Sequence, residues 1–188
     1  LLGEQQTVVR ADAQTGTWTS IEEDSSREDP VTQDVFNLWI DHGVRPQDGN
    51  YGYAVIPGVD GQEFEALSDD LPFQGISNTS SSQAVFIPGL DVVQSAFFEA
   101  GTVVMPNGQN LTVDLLCLMI IRISGKKITL SVSDPTQEMD QIQMHLSGSF
   151  EGSGCVVKEG VSELTVDLPQ DEWSGKTVTI ELVNLEGT

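Results

Sequence analysis

Apolar and polar residues alternate with a period of two along much of this chain. In VFNLWIDH, residues 35–42, one face would carry Phe36, Leu38, Ile40 and His42. In YGYAVIP, residues 51–57, the same alternation groups Tyr51, Tyr53 and Val55. Because successive side chains of a strand point to opposite faces, both segments predict strands. We expect them to form a hairpin around a loop at residues 43–50.

Six later segments have strand patterns and are bounded by Gly, Pro, Asn or Asp. They are AVFIPG (84–89), LTVDLLCLMIIRI (111–123), KKITLSVSD (126–134), QIQMHLSGSF (141–150), SELTVDLPQ (162–170) and KTVTIELVN (176–184). Many short strands separated by turns predict an antiparallel all-β sandwich. The helix prediction is confined to residues 61–70, GQEFEALSDD, which must end before Pro72 because a residue preceding proline disfavours helix.

The organisation of the chain changes near Gly101. Loop-rich segments precede it, including SNTSSSQ at residues 77–83, whereas the strands that follow are regular and closely spaced. We therefore predict two β units, residues 1–101 and 102–188, without an internal repeat. A chain of 188 residues can bury a core without disulfides or metals.

The chain is strongly acidic, with 29 acidic against 8 basic residues and a formal charge of -21. Such a surface repels polyanions, which argues against nucleic acid or anionic lipid as a direct partner. The longest apolar stretch, residues 115–121, has the length of a buried strand, so no membrane insertion is predicted. The first residue is Leu and no secretory leader pattern is evident, which favours a mature product or a piece of a larger protein.

The two cysteines and two histidines of the chain do not predict a metal site. Cys117 lies in LLCLMII and is predicted to be a small buried apolar residue, whereas Cys155 lies in the Gly-rich turn EGSGCVV. The sequence leaves open whether the two thiols are free or paired. The histidines and cysteines lack metal-ligand spacing, and the acidic clusters lack a calcium-loop pattern, so no metal and no cofactor is predicted.

His42 is the first candidate for chemistry, because imidazole is the usual general base near neutral pH. Across the predicted hairpin, Tyr51 and Tyr53 would come within hydrogen-bond reach of it. The favoured interpretation is structural, with the imidazole bonding a backbone carbonyl to tie down the loop. His145, in the strand pattern 141–150, has no polar cluster around it and is predicted to be an exposed strand residue.

Arg45 lies in the same loop and is one of the few cations available to hold an anionic substrate. An ion pair with Asp41 or Asp48 is the favoured alternative. Neither a Gly-x-Ser-x-Gly elbow nor a phosphate-binding Gly-rich loop is present. Acidic pairs of the glycosidase kind are uninformative in a chain with 29 carboxylates.

Three tryptophans offer another kind of site, because exposed aromatic rings can stack on sugars. They are Trp18, Trp39 and Trp173. For all three, packing in the core or between sheets is the favoured prediction.

Six segments in order resemble the late β portion of polysaccharide lyase family 8, which includes chondroitin, hyaluronate and xanthan lyases. They are GTWTSI (16–21), DVFNLWIDHG (34–43), YGYAVIPG (51–58), ISNTSSSQAVF (76–86), AFFEAG (96–101) and ITLSVSDPTQ (128–137). Each segment alone is weak evidence, but their shared order makes the resemblance specific from about residue 16 to residue 137. The residues that follow add only a compatible strand pattern.

The resemblance implies the end of a β super-sandwich domain in residues 1–101, followed by a small C-terminal antiparallel β-sandwich in residues 102–188. In the family, the Asn, His, Tyr and Arg residues that carry catalysis lie in an N-terminal helical toroid. The resemblance therefore implies no catalytic residue in this chain. Because the substrate cleft lies between toroid and super-sandwich, four weak candidates for substrate or toroid contact remain: Trp39, His42, Arg45 and Tyr51.

The expected function is that of a non-catalytic C-terminal β fragment of a lyase. The parent would cleave uronic-acid-containing polysaccharides of the glycosaminoglycan kind by β-elimination. The resemblance implies two partners, a helical toroid in the same parent chain and, through the parent, an anionic polysaccharide. It also implies a bacterial protein that is secreted or periplasmic. One alternative is a free-standing carbohydrate-binding β-sandwich module, which needs exposed aromatic rings in a planar row. A second alternative is a purely structural spacer or adhesion domain.

Overall fold

The computed structural model describes residues 7–24 and 27–185. Fourteen strands and one α-helix lie in this part of the chain. Contacts divide the chain into two compact units, residues 1–58 and residues 59–188. Each unit is considered by itself below.

The first unit is built on one long antiparallel hairpin. Strand β1 (Thr7–Gly16) pairs with β2 (Val31–Ile40) from the Thr7–Ile40 pair to the Gly16–Val31 pair. A short 3-10 turn at Trp18–Ser20 follows β1. Phe36 and Leu38 lie on one face opposite Ala11 and Val9, so the predicted alternation of β2 is confirmed.

The predicted hairpin between residues 35–42 and 51–57 is wrong. The hydrogen-bonding partner of β2 is β1, and residues 51–56 form no strand. Polar residues interrupt the apolar pattern of β1, TVVRADAQTG, which therefore gave no strand signal. Since β2 ends at Ile40, His42 lies in the loop beyond the strand.

The second unit begins with helix α1 (Gly61–Asp69), which confirms the one predicted helix. Its start is a capping box. Asp60 Oδ1 accepts hydrogen bonds from the backbone N–H groups of Gln62 and Glu63, both at 2.9 Å. The Glu63 carboxylate in turn accepts from the backbone N–H of Asp60 at 3.1 Å. These bonds satisfy donors that a helix N-terminus otherwise leaves unpaired.

Twelve further strands form a sandwich of two antiparallel sheets. In chain order they are β3 (Gln74–Asn78), β4 (Ser82–Ile87), β5 (Val92–Phe97), β6 (Gly101–Val104), β7 (Asn110–Val113), β8 (Cys117–Ser124), β9 (Lys127–Ser133), β10 (Gln141–Ser147), β11 (Phe150–Gly152), β12 (Cys155–Lys158), β13 (Val161–Asp167) and β14 (Val178–Asn184). One sheet has the order β11-β14-β9-β8-β5-β4-β3 and the other β12-β13-β10-β7-β6. The all-β fold class is therefore confirmed.

The core of this unit consists of inward-facing apolar side chains from both sheets. Every second residue of β9 and β10 is buried, and the same holds for β8 up to Ile121, as the period-two pattern requires. Fully buried members include Val93, Ile121 and Leu130 from one sheet and Leu111, Met144 and Leu164 from the other. Burial of each such side chain contributes about 1.5–3 kcal/mol.

Two predicted strands are each divided in the structure, because the chain changes sheet within them. Residues 111–123 form the end of β7 in one sheet and most of β8 in the other. The break falls at Asp114, whose carboxylate accepts from the backbone N–H of Gln143 at 2.9 Å. Residues 141–150 likewise divide into β10 and the start of β11 at Gly148, where φ is 107°.

The division between compact units falls after Gly58 and not near Gly101. Strand β5, which precedes Gly101, pairs along its whole length with β8, which follows it. Gly101 itself begins β6, an edge strand of the five-stranded sheet. The change in sequence character near Gly101 thus marks a crossing between two sheets of one sandwich.

Candidate functional site

The loop after β2 brings three aromatic side chains together. The ring centroids of His42 and Tyr51 are 6.1 Å apart with an interplanar angle of 50°. The rings of Tyr51 and Tyr53 are nearly parallel, at 8°, with centroids 6.4 Å apart. The predicted proximity of His42 to the tyrosines is therefore found, although a loop and not a hairpin creates it.

The loop folds closely over the imidazole of His42. A Cβ built on Gly49 would lie 3.3 Å from His42 Nδ1, so only a residue without a side chain fits easily there. The Asp41 carboxylate fixes the turn by accepting a hydrogen bond from the backbone N–H of Gly43 at 2.8 Å. The predicted bond from His42 to a backbone carbonyl is absent among residues 7–24 and 27–185.

Arg45 is exposed, and the favoured ion pair with Asp41 or Asp48 does not form within the described part of the chain. The Asp41 carboxylate is already engaged by the Gly43 amide. An exposed arginine also gains little from such a pair, because water screens the attraction.

The three tryptophans are all about half exposed, so the predicted core or inter-sheet packing is wrong for the described structure. Trp39 lies on β2 opposite Val8. Trp173 has the Lys176 ammonium 4.6 Å from its ring centroid, a cation-π contact that leaves much of the ring in water. His145, by contrast, is an exposed residue of β10, as predicted.

The four candidate residues Trp39, His42, Arg45 and Tyr51 thus fall on one strand and the loop that follows it. The rings of His42 and Tyr51 are in contact, so the imidazole as base and the phenol as acid lie next to each other. All four are exposed, however, and water around an exposed site weakens the electrostatic stabilisation that catalysis needs. The arrangement suits contact with a ligand better than general acid–base catalysis.

The second unit carries an open groove of about 490 Å³ on the outer face of its seven-stranded sheet. Its lining residues are all uncharged and come mainly from β4, β5, β8 and β9. Leu118 and Ile120 are nearly half exposed there. The sequence did not predict this exposure, because Leu118 and Ile120 lie in a continuous apolar run. Such a run indicates a strand that is buried on both faces.

Asp134 is a buried carboxylate that the sequence analysis did not single out; it is 2% exposed. Its Oδ1 accepts from the backbone N–H and hydroxyl of Thr136, at 2.7 and 2.6 Å. Its Oδ2 accepts from the backbone N–H groups of Glu138 and Met139, both at 2.8 Å. Burial tends to raise the pKa of this carboxyl, but these hydrogen bonds outweigh it and lower the pKa from 3.8 to about 2.

Both cysteines are free thiols. Cys117 is fully buried, as predicted. Burial and, to a smaller extent, the charge of Asp114 raise the pKa of its thiol from 9.0 to about 12. Cys155 is partly exposed and lies near the Phe150 carbonyl oxygen, with the sulfur 3.3 Å from it.

We expect the two thiols to differ strongly in reactivity, because the thiolate is the reactive form. In the native protein at neutral pH, Ellman's reagent should modify Cys155 and leave Cys117 intact. In denaturant both should react at similar rates. A Cys155→Ser variant serves as the control and should show no native reaction. Rapid native modification of Cys117, located by peptide mass spectrometry, would contradict the buried position of β8.

In the described residues no group of three or more His, Cys, Asp or Glu side chains is placed to hold a metal ion. The same part of the chain has no helix with the length and apolar character needed to cross a membrane.

Two consecutive parts of the chain match models of known protein domains. Residues 1–68 match the family model described as polysaccharide lyase family 8, super-sandwich domain. Residues 76–143 match the model described as polysaccharide lyase family 8, C-terminal beta-sandwich domain. The two models follow each other along the chain in the order that the sequence resemblance predicts.

Curated relatives agree with these models. Chondroitinase-AC of Pedobacter heparinus is 33% identical over 171 residues, which cover 90% of this chain and 23% of that protein. Hyaluronate lyase of Thermasporomyces composti is 31% identical, with 88% and 21% covered. Xanthan lyase of a Bacillus species is 30% identical, with 76% and 15% covered. The chain therefore spans less than a quarter of the length of these relatives.

A solved structure of chondroitinase AC lyase, from a study of its oligosaccharide complexes, superimposes with a TM-score of 0.72 at 30% identity. The match covers 92% of this chain and 24% of that enzyme. Together with the two family models, this similarity shows that the chain belongs to polysaccharide lyase family 8 and corresponds to its C-terminal β portion.

Proposed function

We propose that this chain is the non-catalytic C-terminal β portion of a longer polysaccharide lyase. The observation that carries the proposal is the uncovered apolar face of the β1–β2 hairpin, where Val9 is 57%, Phe36 67% and Leu38 54% exposed. A two-stranded hairpin is marginal in water and needs further strands or a covering layer. The remaining super-sandwich of a parent chain would supply that layer, in keeping with a relative about four times as long.

The parent enzyme would cleave a uronic-acid-containing polysaccharide of the glycosaminoglycan kind by β-elimination. This reaction needs a group that neutralises the carboxylate, a base for the C5 proton and an acid for the departing oxygen. The cluster at His42 offers at most two of these roles, at an exposed site. We therefore assign catalysis to a helical toroid in the same parent, which this portion would support while completing one wall of the cleft. The parent would be exported, to the periplasm or beyond.

A free-standing carbohydrate-binding module is the second candidate, and the parallel rings of Tyr51 and Tyr53 favour it. Such a module must be stable without a parent chain. The exposed apolar face of the hairpin argues against that stability, and the fragment proposal accounts for it. The two candidates differ in the size of the native protein.

The first experiment is a lyase assay on the purified chain with chondroitin, hyaluronan and xanthan. We expect no rise in the absorbance of unsaturated uronate, because the three catalytic roles are not assembled in residues 7–24 and 27–185. Chondroitinase-AC of Pedobacter heparinus provides the positive control. Product formation proportional to the concentration of this chain, in a preparation free of other lyases, would refute the proposal.

The second experiment measures the mass of the native protein in its source with an antibody against this chain. The fragment proposal expects a species several times larger than 20.3 kDa, with further peptides upstream. A native species of about this mass that binds glycans would instead support the free module.

A further inference from the structure

The loop after β2 presents a row of aromatic rings that the architecture of the hairpin does not require. Tyr51 and Tyr53 are 56% and 63% exposed, and their rings are parallel within 8°. They are two residues apart in the chain, and their ring centroids are 6.4 Å apart. His42 continues the row at 6.1 Å from Tyr51.

The backbone that holds this row is also unusual. Arg45 and Asp48 have φ values of 55° and 54°, in the left-handed region that non-glycine residues seldom adopt. Such conformations cost free energy and persist where the surrounding structure fixes them, often at ligand sites. In the same loop the Asp41 carboxylate accepts a hydrogen bond from the Gly43 backbone N–H, and Gly49 lies close to the His42 ring. The loop therefore has a defined shape and is more than a connection between elements.

We infer that this row is a contact site for one pyranose ring of the polysaccharide. The apolar C–H face of a sugar would stack on the tyrosine rings, and sugar hydroxyl groups would form hydrogen bonds with the phenols and the imidazole of His42. Arg45, which has no ion pair within the described residues, would pair with a carboxylate or sulfate of the same chain. The identity of the polysaccharide rests on the proposed function.

Charge limits the strength of this contact. Asp41 and Asp48 lie in the same loop as Arg45, so the loop has no net positive charge to attract a polyanion. Stacking must therefore supply most of the affinity, with one anionic group recognised by Arg45. The site should bind weakly and should tolerate salt better than a site built from several cations.

The chain contains only two tyrosines and two histidines, which makes the site easy to observe. Both tyrosines belong to the row, so fluorine NMR of 3-fluorotyrosine-labelled protein reports on it alone. We expect both signals to shift in a saturable manner with oligosaccharides of chondroitin or hyaluronan. The ring signals of His42 should move with them, whereas those of His145 on β10 should stay unchanged. The inference would be overturned if the fluorine signals of both tyrosines did not shift up to the solubility limit of these oligosaccharides.

Variants test the individual contacts. Tyr51→Ala combined with Tyr53→Ala should weaken binding at least about tenfold, a loss of about 1.4 kcal/mol. Arg45→Gln should weaken binding of anionic oligosaccharides and leave that of neutral cello-oligosaccharides unchanged. Trp173→Ala, which removes an exposed ring in the other unit, is the matched control and should bind normally.

Unchanged affinity in the double tyrosine variant would overturn the inference. If that variant fails to fold, the wild-type fluorine titration decides the question. If the tyrosine signals do not shift but the native protein proves to be several times larger than this chain, the contact site is refuted and the proposed function still holds. Activity of the purified chain in the lyase assay would have the opposite effect, so the two failures are distinguishable.

Discussion

Replacement of Asp134 with alanine is expected to lower the free energy of unfolding by about 3 kcal/mol, because it leaves buried donors without an acceptor. The carboxylate accepts four hydrogen bonds from Thr136, Glu138 and Met139. These bonds close the connection between β9 and β10, where the chain passes from one sheet to the other. Urea unfolding followed by circular dichroism measures the loss. Asp140→Asn, in the same connection but exposed, should change stability by less than about 0.5 kcal/mol.

The contribution of Asp134 should also depend on pH in a defined window. Its pKa is lowered in the folded protein to about 2, from 3.8. A carboxyl with a depressed folded pKa stabilises the protein fully above its unfolded pKa, and this stabilisation is lost as pH falls toward the folded value. The stability difference between the native protein and Asp134→Asn should therefore shrink from pH 4 to pH 2. A difference that is constant over this range would contradict the role of the carboxylate charge.

Replacement of Gly154 with alanine is expected to destabilise the sandwich by about 3 kcal/mol or more, since two costs add. Gly154 has a φ of 70°, in the left-handed region. A Cβ at this position would also approach the backbone oxygen of Thr165 to 2.4 Å, which β13 cannot relieve without moving. The residue lies between β11 and β12, where the chain again changes sheet. Thermal unfolding followed by calorimetry measures the effect.

Gly160→Ala is the matched control for this prediction. Gly160 has a similar φ of 79°, but an added Cβ would meet no atom within 4 Å. The control should therefore show only the cost of the left-handed conformation, about 1 kcal/mol. Equal losses in the two variants would mean that the close approach to Thr165 is relieved at no cost.

The sequence predicted the elements whose signals are local. Period-two alternation identified β8, β9, β10 and β13, and the segment GQEFEALSDD identified α1. It missed β1, because polar residues interrupt the apolar pattern of TVVRADAQTG, and so assigned the wrong partner to β2. It also could not locate where the chain changes sheet. Alternation continues through Asp114, although β7 ends at Val113 and the Asp114 carboxylate accepts a long-range hydrogen bond from the backbone N–H of Gln143.

The candidate site was predicted in part. His42, Arg45 and Tyr51 were identified because their residue types can carry chemistry, and the structure places them in one loop. The parallel arrangement of Tyr51 and Tyr53 and the packing of Gly49 on His42 depend on backbone angles that no spacing rule supplies. Asp134 was overlooked for a different reason. In a chain with 29 acidic residues, nothing local distinguishes a buried carboxylate from a solvated one.

The position of β14 in the seven-stranded sheet has a consequence for biosynthesis. This strand is the last one described along the chain, yet it lies between β9 and β11 and not at an edge. Both neighbours therefore keep unpaired backbone groups until residues 178–184 have left the ribosome. Exposed strand edges of this kind promote association between nascent chains. The sandwich can thus be completed only after residues 178–184 have been synthesised, and the facing edges of β9 and β11 stay unpaired until then.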